Sequence, residues 1–323
     1  MPTRFNLLTR LADNRLFVPL APHDALSAPR INDLGDHEVE IASVSYRSYG
    51  RQHGIELHTR RPLVHPLVER DGDSGTTIHL QRHVTGTTLT NLRDAGAYIG
   101  THGVIQPGKL FRSENLSKLT TPDVTLLQAL GIRTVIDLRD DREAANAPTP
   151  AGISEFAEIV RLPMTGTICG HDDAIVALSE GKIASIRTED MTDMYISLLD
   201  HYQDQFLMAA RTILTHTDGS VLVHCTAGKD RTGLVIALTH LALGVGDYDI
   251  FEDFAVSNLY RTPVRLGELA PRIAEWGAKP EQVWPYLSAP VPALVTVMPL
   301  LRELATSLHA TDSRHATATK LDR

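Results

Sequence analysis

The apolar positions of this chain fall into two regimes. Up to about residue 85 they alternate with polar ones, as in Val39, Ile41 and Ser43 against Glu38, Glu40 and Ala42, running on into Ser45-Tyr46-Arg47-Ser48-Tyr49. A period of two places one set of side chains on one face of an extended chain, so this stretch predicts strands. Gly50 to Gly54 and Asp71-Gly72-Asp73-Ser74-Gly75 supply turn residues between them, which makes the segment an antiparallel ribbon. Further on, short unbroken apolar runs alternate with helical spacing. Thr134-Val135-Ile136-Asp137-Leu138, Ile159-Val160-Arg161-Leu162-Pro163 and Val221-Leu222-Val223 read as strands buried on both faces. Thr121 as N-cap, Pro122 in the first turn and Gly131 past the end delimit one helix. Others are expected over Met191 to His216 with a break between Asp200 and Gln205, Leu234 to Leu243, Asp247 to Tyr260, Val264 to Trp276, Pro280 to Leu287 and Val291 to Leu308.

This order of elements predicts an α/β fold: a central, mostly parallel sheet with strands near Leu110, Val135, Val160 and Val221, flanked by helices, behind an N-terminal β-rich elaboration. The expected division is 1-85 for the elaboration or accessory unit, 86-308 for the main domain and 309-323 for a polar, disordered tail.

Composition narrows the function classes. A 42% hydrophobic and 22% charged chain is ordinary for a globular protein. The net charge of -8 speaks against nucleic acid as a partner, so any anion site must be a local positive island. Cys169 and Cys225 are the two cysteines; far apart, they form no metal or disulfide pattern and fit a reducing compartment. Residues 1-22 mix Arg4, Arg10, Asp13 and Arg15 with apolar residues and hold no long apolar core, so neither a signal peptide nor an integral membrane segment is expected, and a cytoplasmic location is the default. Scattered histidines, His37, His53, His58, His65, His79 and His83, make no metal triad.

The chemistry concentrates in Val221 to Gly233, Val-Leu-Val-His-Cys-Thr-Ala-Gly-Lys-Asp-Arg-Thr-Gly. A strand, a tight loop and a helix start make an anion site, because the first N–H groups of a helix lack partners and carry the positive end of its dipole. Cys225 sits in that field, where a thiol loses its proton readily. Arg231, with five residues between it and Cys225, can close the rim with a fork that matches phosphate oxygens.

His224-Cys225 to Arg231-Thr232-Gly233 resembles the cysteine phosphatase signature, and the filling Thr226-Ala227-Gly228-Lys229-Asp230 is similar to bacterial tyrosine and phosphoinositide phosphatases with an Ala-Gly-Lys-Asp-Arg-Thr-Gly loop. Asn91-Leu92-Arg93-Asp94-Ala95-Gly96-Ala97 and Gly108-Lys109-Leu110-Phe111-Arg112-Ser113 resemble the opening of the same family, with Ala97 where it usually has a second glycine. Apart from that likeness, Arg93 and Asp94 read as a local turn ion pair and Arg112 as a strand-end surface charge. The resemblance implies that 86-308 is a metal-independent phosphatase domain without cofactor, and that Cys225 attacks phosphorus to give a phosphocysteine. Arg231 and the amides of Thr226, Ala227, Gly228 and Lys229 supply the positive field. His224 orients the loop, Thr232 donates its hydroxyl to the sulfur, and Asp230 is the first candidate for the general acid, ahead of Asp137 and Asp140. An Asp-Leu-Arg segment in the position of Asp137 and Arg139 faces the cup in such proteins, whereas a helix-capping salt-bridge network explains the two equally well. Lys229 either adds affinity for a second anionic group or is a solvated loop lysine. The implied substrates are phosphotyrosine, with phosphoserine, phosphothreonine or phosphoinositide esters beside it, so the partner is a phosphorylated protein, lipid or small molecule. A metabolic phosphatase for a small phosphorylated sugar, nucleoside or inositol intermediate is the alternative, and an inactive phosphate-binding module a second one. Thr165 to Asp190, polar and weakly periodic with a helix around Ala174 to Leu178, is expected to carry specificity, and Cys169 within it to be incidental.

Overall fold

The computed structural model describes residues 4–20, 29–33, 37–49, 51–72, 75–168 and 174–321; Cys169 lies outside them. Residues 4–80 hold the strands β1 (Arg4–Leu7), β2 (Thr9–Ala12), β3 (Arg15–Pro19), β4 (Arg30–Asp33), β5 (His37–Glu38), β6 (Ile41–Tyr49), β7 (Gln52–Thr59), β8 (Pro66–Gly72) and β9 (Gly75–Leu80). They form two sheets, β1-β9-β8-β4-β5 and β2-β3-β7-β6, in which β1 runs parallel to β9 and the remaining pairs are antiparallel. β6 pairs with β7 as far as Tyr49 and Gln52, and β8 with β9 as far as Gly72 and Gly75, so Gln52, His53 and Gly54, expected in a turn, are paired residues of β7. Leu16, Val18, Ile31, Leu57 and Val68, all fully buried, form the core of this unit.

The second half is a five-stranded sheet in the order β10 (Arg93–Asp94), β11 (Leu110–Ser113), β14 (Ser220–His224), β12 (Ile132–Asp137), β13 (Glu158–Arg161). All neighbours are parallel except β10 with β11, so the expected parallel sheet with a β-rich elaboration is what forms. Strand pleating explains why apolar residues occur in succession in the central strands. Val221, Val223, Ile136 and Leu110 face one core cluster, while Leu222, Val135 and Phe111 face another on the opposite side. The helices are α1 (Thr121–Ala129), α2 (Asp141–Asn146), α3 (Ala174–Ser179), α4 (Thr188–His201), α5 (Gln203–Thr215), α6 (Asp230–Ala242), α7 (Asp247–Ala255), α8 (Ser257–Glu275), α9 (Trp284–Leu287) and α10 (Val291–Leu321). Helix α6 is buried at every residue from Thr232 to Ala242, which fits its all-round apolar sequence. Helix α10 packs on α4 and α6. Its stretch Val291–His309 is long and apolar enough to cross a membrane, but Leu294, Val297 and Leu301 are fully buried in the core of this domain.

Two expectations about the helices need correction. The N-cap of α1 is Thr120, whose hydroxyl accepts from the Asp123 N–H while Asp123 accepts in return from the Thr120 N–H. Asp247 to Tyr260 is two helices, broken at Val256, and α8 runs on through Pro263. Ser257, fully buried at the start of α8, accepts a hydrogen bond from Arg93. Helix α10 extends to Leu321.

Ala97, where the resembling family carries glycine, has φ 62 and is the one non-glycine residue in the left-handed region among the described residues. Its N–H is held by the Ile105 carbonyl at 2.7 Å, so the loop imposes that conformation. Left-handed backbone is unfavourable by roughly 1–2 kcal/mol for a residue with a Cβ, and the greater freedom of unfolded glycine offsets part of the gain. Ala97→Gly is therefore expected to stabilise the fold by about 0.5–1 kcal/mol, read as a higher urea midpoint. A lower midpoint would contradict it.

Candidate active site

Ser113, His224 and Asp137 lie abreast at the carboxyl ends of β11, β14 and β12. Parallel register thus brings the segments after three strands to one end of the sheet, where open α/β folds place their sites. The chain from Cys225 to Lys229 turns there from β14 into α6.

Each carbonyl of that turn from Thr226 to Lys229 is drawn outward by a donor behind it. The Asn115 N–H and Nδ2 each donate to the Thr226 carbonyl at 3.2 Å. Asn91 Nδ2 donates to the carbonyls of Ala227 and Gly228, both at 3.2 Å. Arg112 Nη2 donates to those of Gly228 and Lys229 at 2.9 and 3.3 Å. With the carbonyls engaged on the outside, the loop can offer its N–H groups to the inside, as an anion site requires. The Gly228 N–H donates to Cys225 Sγ at 3.3 Å. Gly228 has φ +67, and a Cβ there would fall 2.2 Å from the Ser113 carbonyl oxygen, so only glycine fits.

Arg112 is therefore no surface charge. It is fully buried, donates to Asp253 at 2.5 Å and fixes the loop. Nor do Arg93 and Asp94 pair with each other. Arg93 donates to Asn91, Ser257 and the Asp253 carbonyl, while Asp94 accepts from the N–H groups of Gly96 and Gly108.

Arg231 is gripped by a residue that the sequence did not single out. Its Nη1 and Nη2 donate to the two carboxylate oxygens of Glu143 at 2.5 and 2.7 Å, and Nη1 also donates to the Met164 carbonyl at 2.8 Å. Burial alone would raise the Glu143 carboxyl, but Arg231 and the Thr226 hydroxyl outweigh it and hold the group below the usual range. Glu143 is the N3 residue of a capping box with Asp140 at the start of α2. Its spacing was visible, but its reach to Arg231 is a matter of fold.

Asp230, the first residue of α6, accepts from Lys229 Nζ at 2.7 and 2.9 Å and from the Tyr195 hydroxyl at 2.6 Å. Tyr195 is fully buried on α4. Burial first, and then the Asp230 carboxylate, keep its hydroxyl well above the ordinary tyrosine range, so it acts as a donor. The one legible hint was a tyrosine inside an apolar helical stripe, since a buried tyrosine hydroxyl needs a partner.

The other expected residues sit around this cup. His224 is fully buried; burial, before its neighbours, lowers it to about 4, so the ring is neutral near pH 7. Its Nδ1 lies 3.3 Å from the Cys225 carbonyl oxygen, within the loop it precedes. The Thr232 hydroxyl is buried and has no hydrogen-bond partner among the described residues, so the expected bond to the sulfur is absent; the Gly228 N–H makes one instead. Asp137 is clasped by Arg139 through Nε at 2.9 Å and Nη2 at 2.8 Å. Burial would raise the Asp137 carboxyl, but the Arg139 bonds and nearby His224 hold it low. Arg139 also donates to Thr149 and the Ala147 carbonyl, a buried network that steadies the strand end. Asp140 caps α2 by accepting from the Glu143 N–H.

Cys225, Thr226, Ala227, Lys229, Asp230 and Arg231 open on a cavity of about 560 Å³. Part of its wall is apolar, from Ile168 and from Met191, Met194 and Leu198 of α4, and part is cationic. Such a lining suits an oxyanion attached to an apolar group.

The profile of the tyrosine phosphatase family matches residues 84–316. The Mycobacterium tuberculosis triple specificity protein phosphatase PtpB is 30% identical, covering 57% of this chain and 71% of that protein. A Cupriavidus necator protein provisionally named a tyrosine-protein phosphatase is 31% identical, covering 62% of this chain and 71% of its own length. A Nostoc commune tyrosine-protein phosphatase is 32% identical, and the match spans 46% of this chain and about half, 48%, of that protein. Pseudomonas aeruginosa TpbA superposes on 63% of this chain and 89% of its own at 16% identity with a TM-score of 0.28.

Proposed function

The chain belongs to the tyrosine phosphatase family, and from that premise we propose that it hydrolyses phosphate monoesters, phosphotyrosine first, through a phosphocysteine intermediate. One observation supports this above others: a buried sulfur, Cys225 Sγ, sits under a loop whose carbonyls are all drawn outward, beside an arginine held rigid by Glu143. Donors fixed before the substrate arrives need no rearrangement as charge develops, which is where such sites gain most of their rate. Phosphotyrosine ranks first because the apolar wall from α4 can accept an aromatic ring.

In the first step the sulfur attacks phosphorus in line and the bond to the phenolic oxygen breaks. The loop N–H groups and Arg231 hold the three equatorial oxygens. Glu143 takes the Nη1–Nη2 edge of Arg231, which leaves the Nε edge for a substrate oxygen. Asp230, a carboxylate in its ion pair with Lys229, takes up a proton from solvent as the substrate binds and hands it to the departing oxygen. An incoming phosphate can draw the Lys229 ammonium off Asp230, while Tyr195 keeps the carboxyl aimed. In the second step Asp230 takes a proton from a water, the water attacks phosphorus, and the S–P bond breaks to release phosphate and restore both groups. His224 acts as a loop positioner, and the Asp137–Arg139 pair supports the strand end behind it. Lys229 and the amides of residues 226 to 228 bind phosphate. A phosphorylated protein is the partner in this reading, with a cytoplasmic location.

The test is a substrate panel in chelating buffer, of phosphotyrosine, phosphoserine, phosphoinositide and sugar-phosphate esters, with Cys225→Ser as blank. Hydrolysis of phosphotyrosine by the wild type and none by Cys225→Ser is the expected result. Turnover that survives Cys225→Ser refutes the mechanism, and a sugar phosphate turned over in preference would favour a metabolic role. The proton path has its own check. Asp230→Asn should lower kcat by about 10²-fold or more on alkyl esters, and less on p-nitrophenyl phosphate, whose leaving group needs no proton. Tyr195→Phe should show the same pattern at about tenfold. Equal losses across the leaving-group series would remove Asp230 from the acid's role.

A further inference from the structure

Outside the cup the same cavity carries a second set of cations that the two-step reaction does not use. Arg261 and Arg265 are four residues apart on α8, and so on one face of it, and both line the cavity together with Lys118. Arg261 keeps only 14% of its side chain exposed, yet its Nε is buried without a hydrogen-bond partner among the described residues. Its Nη2 is 3.9 Å from Glu268, whose carboxylate is already taken by Arg265 Nη1 at 3.1 Å. The carboxylates of the cup are also engaged, Glu143 by Arg231 and Asp230 by Lys229. Arg142 and Asp140 also line the cavity with opposite charges, so Glu268 against Arg261, Arg265 and Lys118 leaves this side cationic, on a chain whose net charge is -8. A buried arginine donor with no partner is unfavourable unless something else binds it.

Resting on the phosphatase reading, we propose that Arg261 and Arg265, with Lys118 beside them, form a subsite for a carboxylate side chain next to the phosphotyrosine of a peptide substrate. The apolar wall from Ile168, Met191, Met194 and Leu198 takes the phenyl ring while the phosphate sits in the cup. The neighbouring acidic residue then reaches the arginine pair, whose planar forks match a carboxylate. An inositol polyphosphate would use the cations but has no group for the apolar wall, so the wall favours the peptide. The second-anion role that the loop sequence suggested for Lys229 passes in this arrangement to α8, because Lys229 Nζ is held inside the cup by Asp230.

The experiment compares two phosphotyrosine peptides that differ only in flanking Glu against flanking Gln. Wild type is expected to prefer the acidic peptide roughly tenfold in kcat/KM, mostly through KM, with the preference shrinking as salt rises. In Arg261→Gln and in Arg265→Gln the ratio should fall towards one. Arg265 is a surface residue, so that variant keeps the test open if Arg261→Gln does not fold. Arg265→Glu should reverse the order in favour of a Lys-flanked peptide, which a merely structural role would not produce. Fluorescence titration of both peptides against Cys225→Ser should give the same ratio in Kd. If wild type hydrolyses neither peptide, the phosphatase reading fails while the Kd ratio still decides the subsite. A wild-type ratio near one, or equal losses for both peptides in the variants, overturns the proposal. So does an inositol bisphosphate whose hydrolysis depends on Arg265 while the peptide ratio does not.

Discussion

Arg231→Lys is expected to lower kcat on p-nitrophenyl phosphate by about 10³-fold or more with the fold intact, by analogy with the loss of a fixed charge donor at a phosphoryl transition state. Lysine keeps the charge, so a mere need for a cation would leave most of the rate. The structure argues for more than charge. Arg231 spans Glu143 with two parallel bonds and reaches the Met164 carbonyl with the same Nη1, so its plane is fixed on one side before the substrate arrives. An ammonium can make one of these contacts but cannot set a plane, and it leaves part of the Glu143 carboxylate unpaired in a site that keeps only 24% of that side chain exposed. The loss should appear in kcat with a smaller change in KM, because an interaction made mainly in the transition state is removed. A kcat within tenfold of wild type would show that charge alone suffices. Unchanged thermal unfolding is the control.

Arg112→Met should destabilise the fold by about 3–5 kcal/mol, the usual result of removing one partner of a buried ion pair. Arg112 and Asp253 are both essentially inaccessible, and their contact is 2.5 Å. Burial would raise the Asp253 carboxyl, but Arg112 and then Arg93 keep it low and ionised. Without Arg112 the charge is left to Arg93, whose Nε is 3.8 Å away. The carbonyls of Gly228 and Lys229 each lose a donor at the same time, so activity should fall further than the folded fraction explains. Urea unfolding and kcat measured well below the midpoint separate the two effects. The double variant Arg112→Met/Asp253→Asn should recover part of the stability and none of the activity, because it removes the stranded charge without restoring the loop donor. A stability loss under about 1 kcal/mol would mean that the pair contributes little.

Legibility followed the range of the interactions. Local signals sufficed for the parallel sheet, for most helices and for the ordering of Cys225, Asp230 and Arg231 on one turn, because strand alternation, helix periodicity and a strand-loop-helix motif are written over a few residues. Even the unusual backbone at Ala97 was visible as a departure from glycine. What failed was at longer range. Arg112 looked like a surface charge because nothing within a few residues of it is its partner; Asp253 is 141 positions away and the loop carbonyls more than 100. Thr232 was expected on the sulfur from family likeness, whereas the turn of the loop gives that bond to the Gly228 N–H.

The sequence by itself determined the anion cup as a type of site: a cysteine, small residues and an arginine at fixed spacing between a buried strand and a buried helix can hardly close in another way. Only the tertiary structure decided how the cup is held and what stands around it. Asn91, Asn115 and Arg112 turn its carbonyls out, Glu143 sets the plane of Arg231, Tyr195 aims Asp230, and α8 brings Arg261 and Arg265 to the rim. Each of these is a hydrogen bond or an approach between segments 30 to 140 residues apart. Such contacts depend on the order of strands in the sheet and on the packing of helices over it, and no local pattern in the chain encodes them.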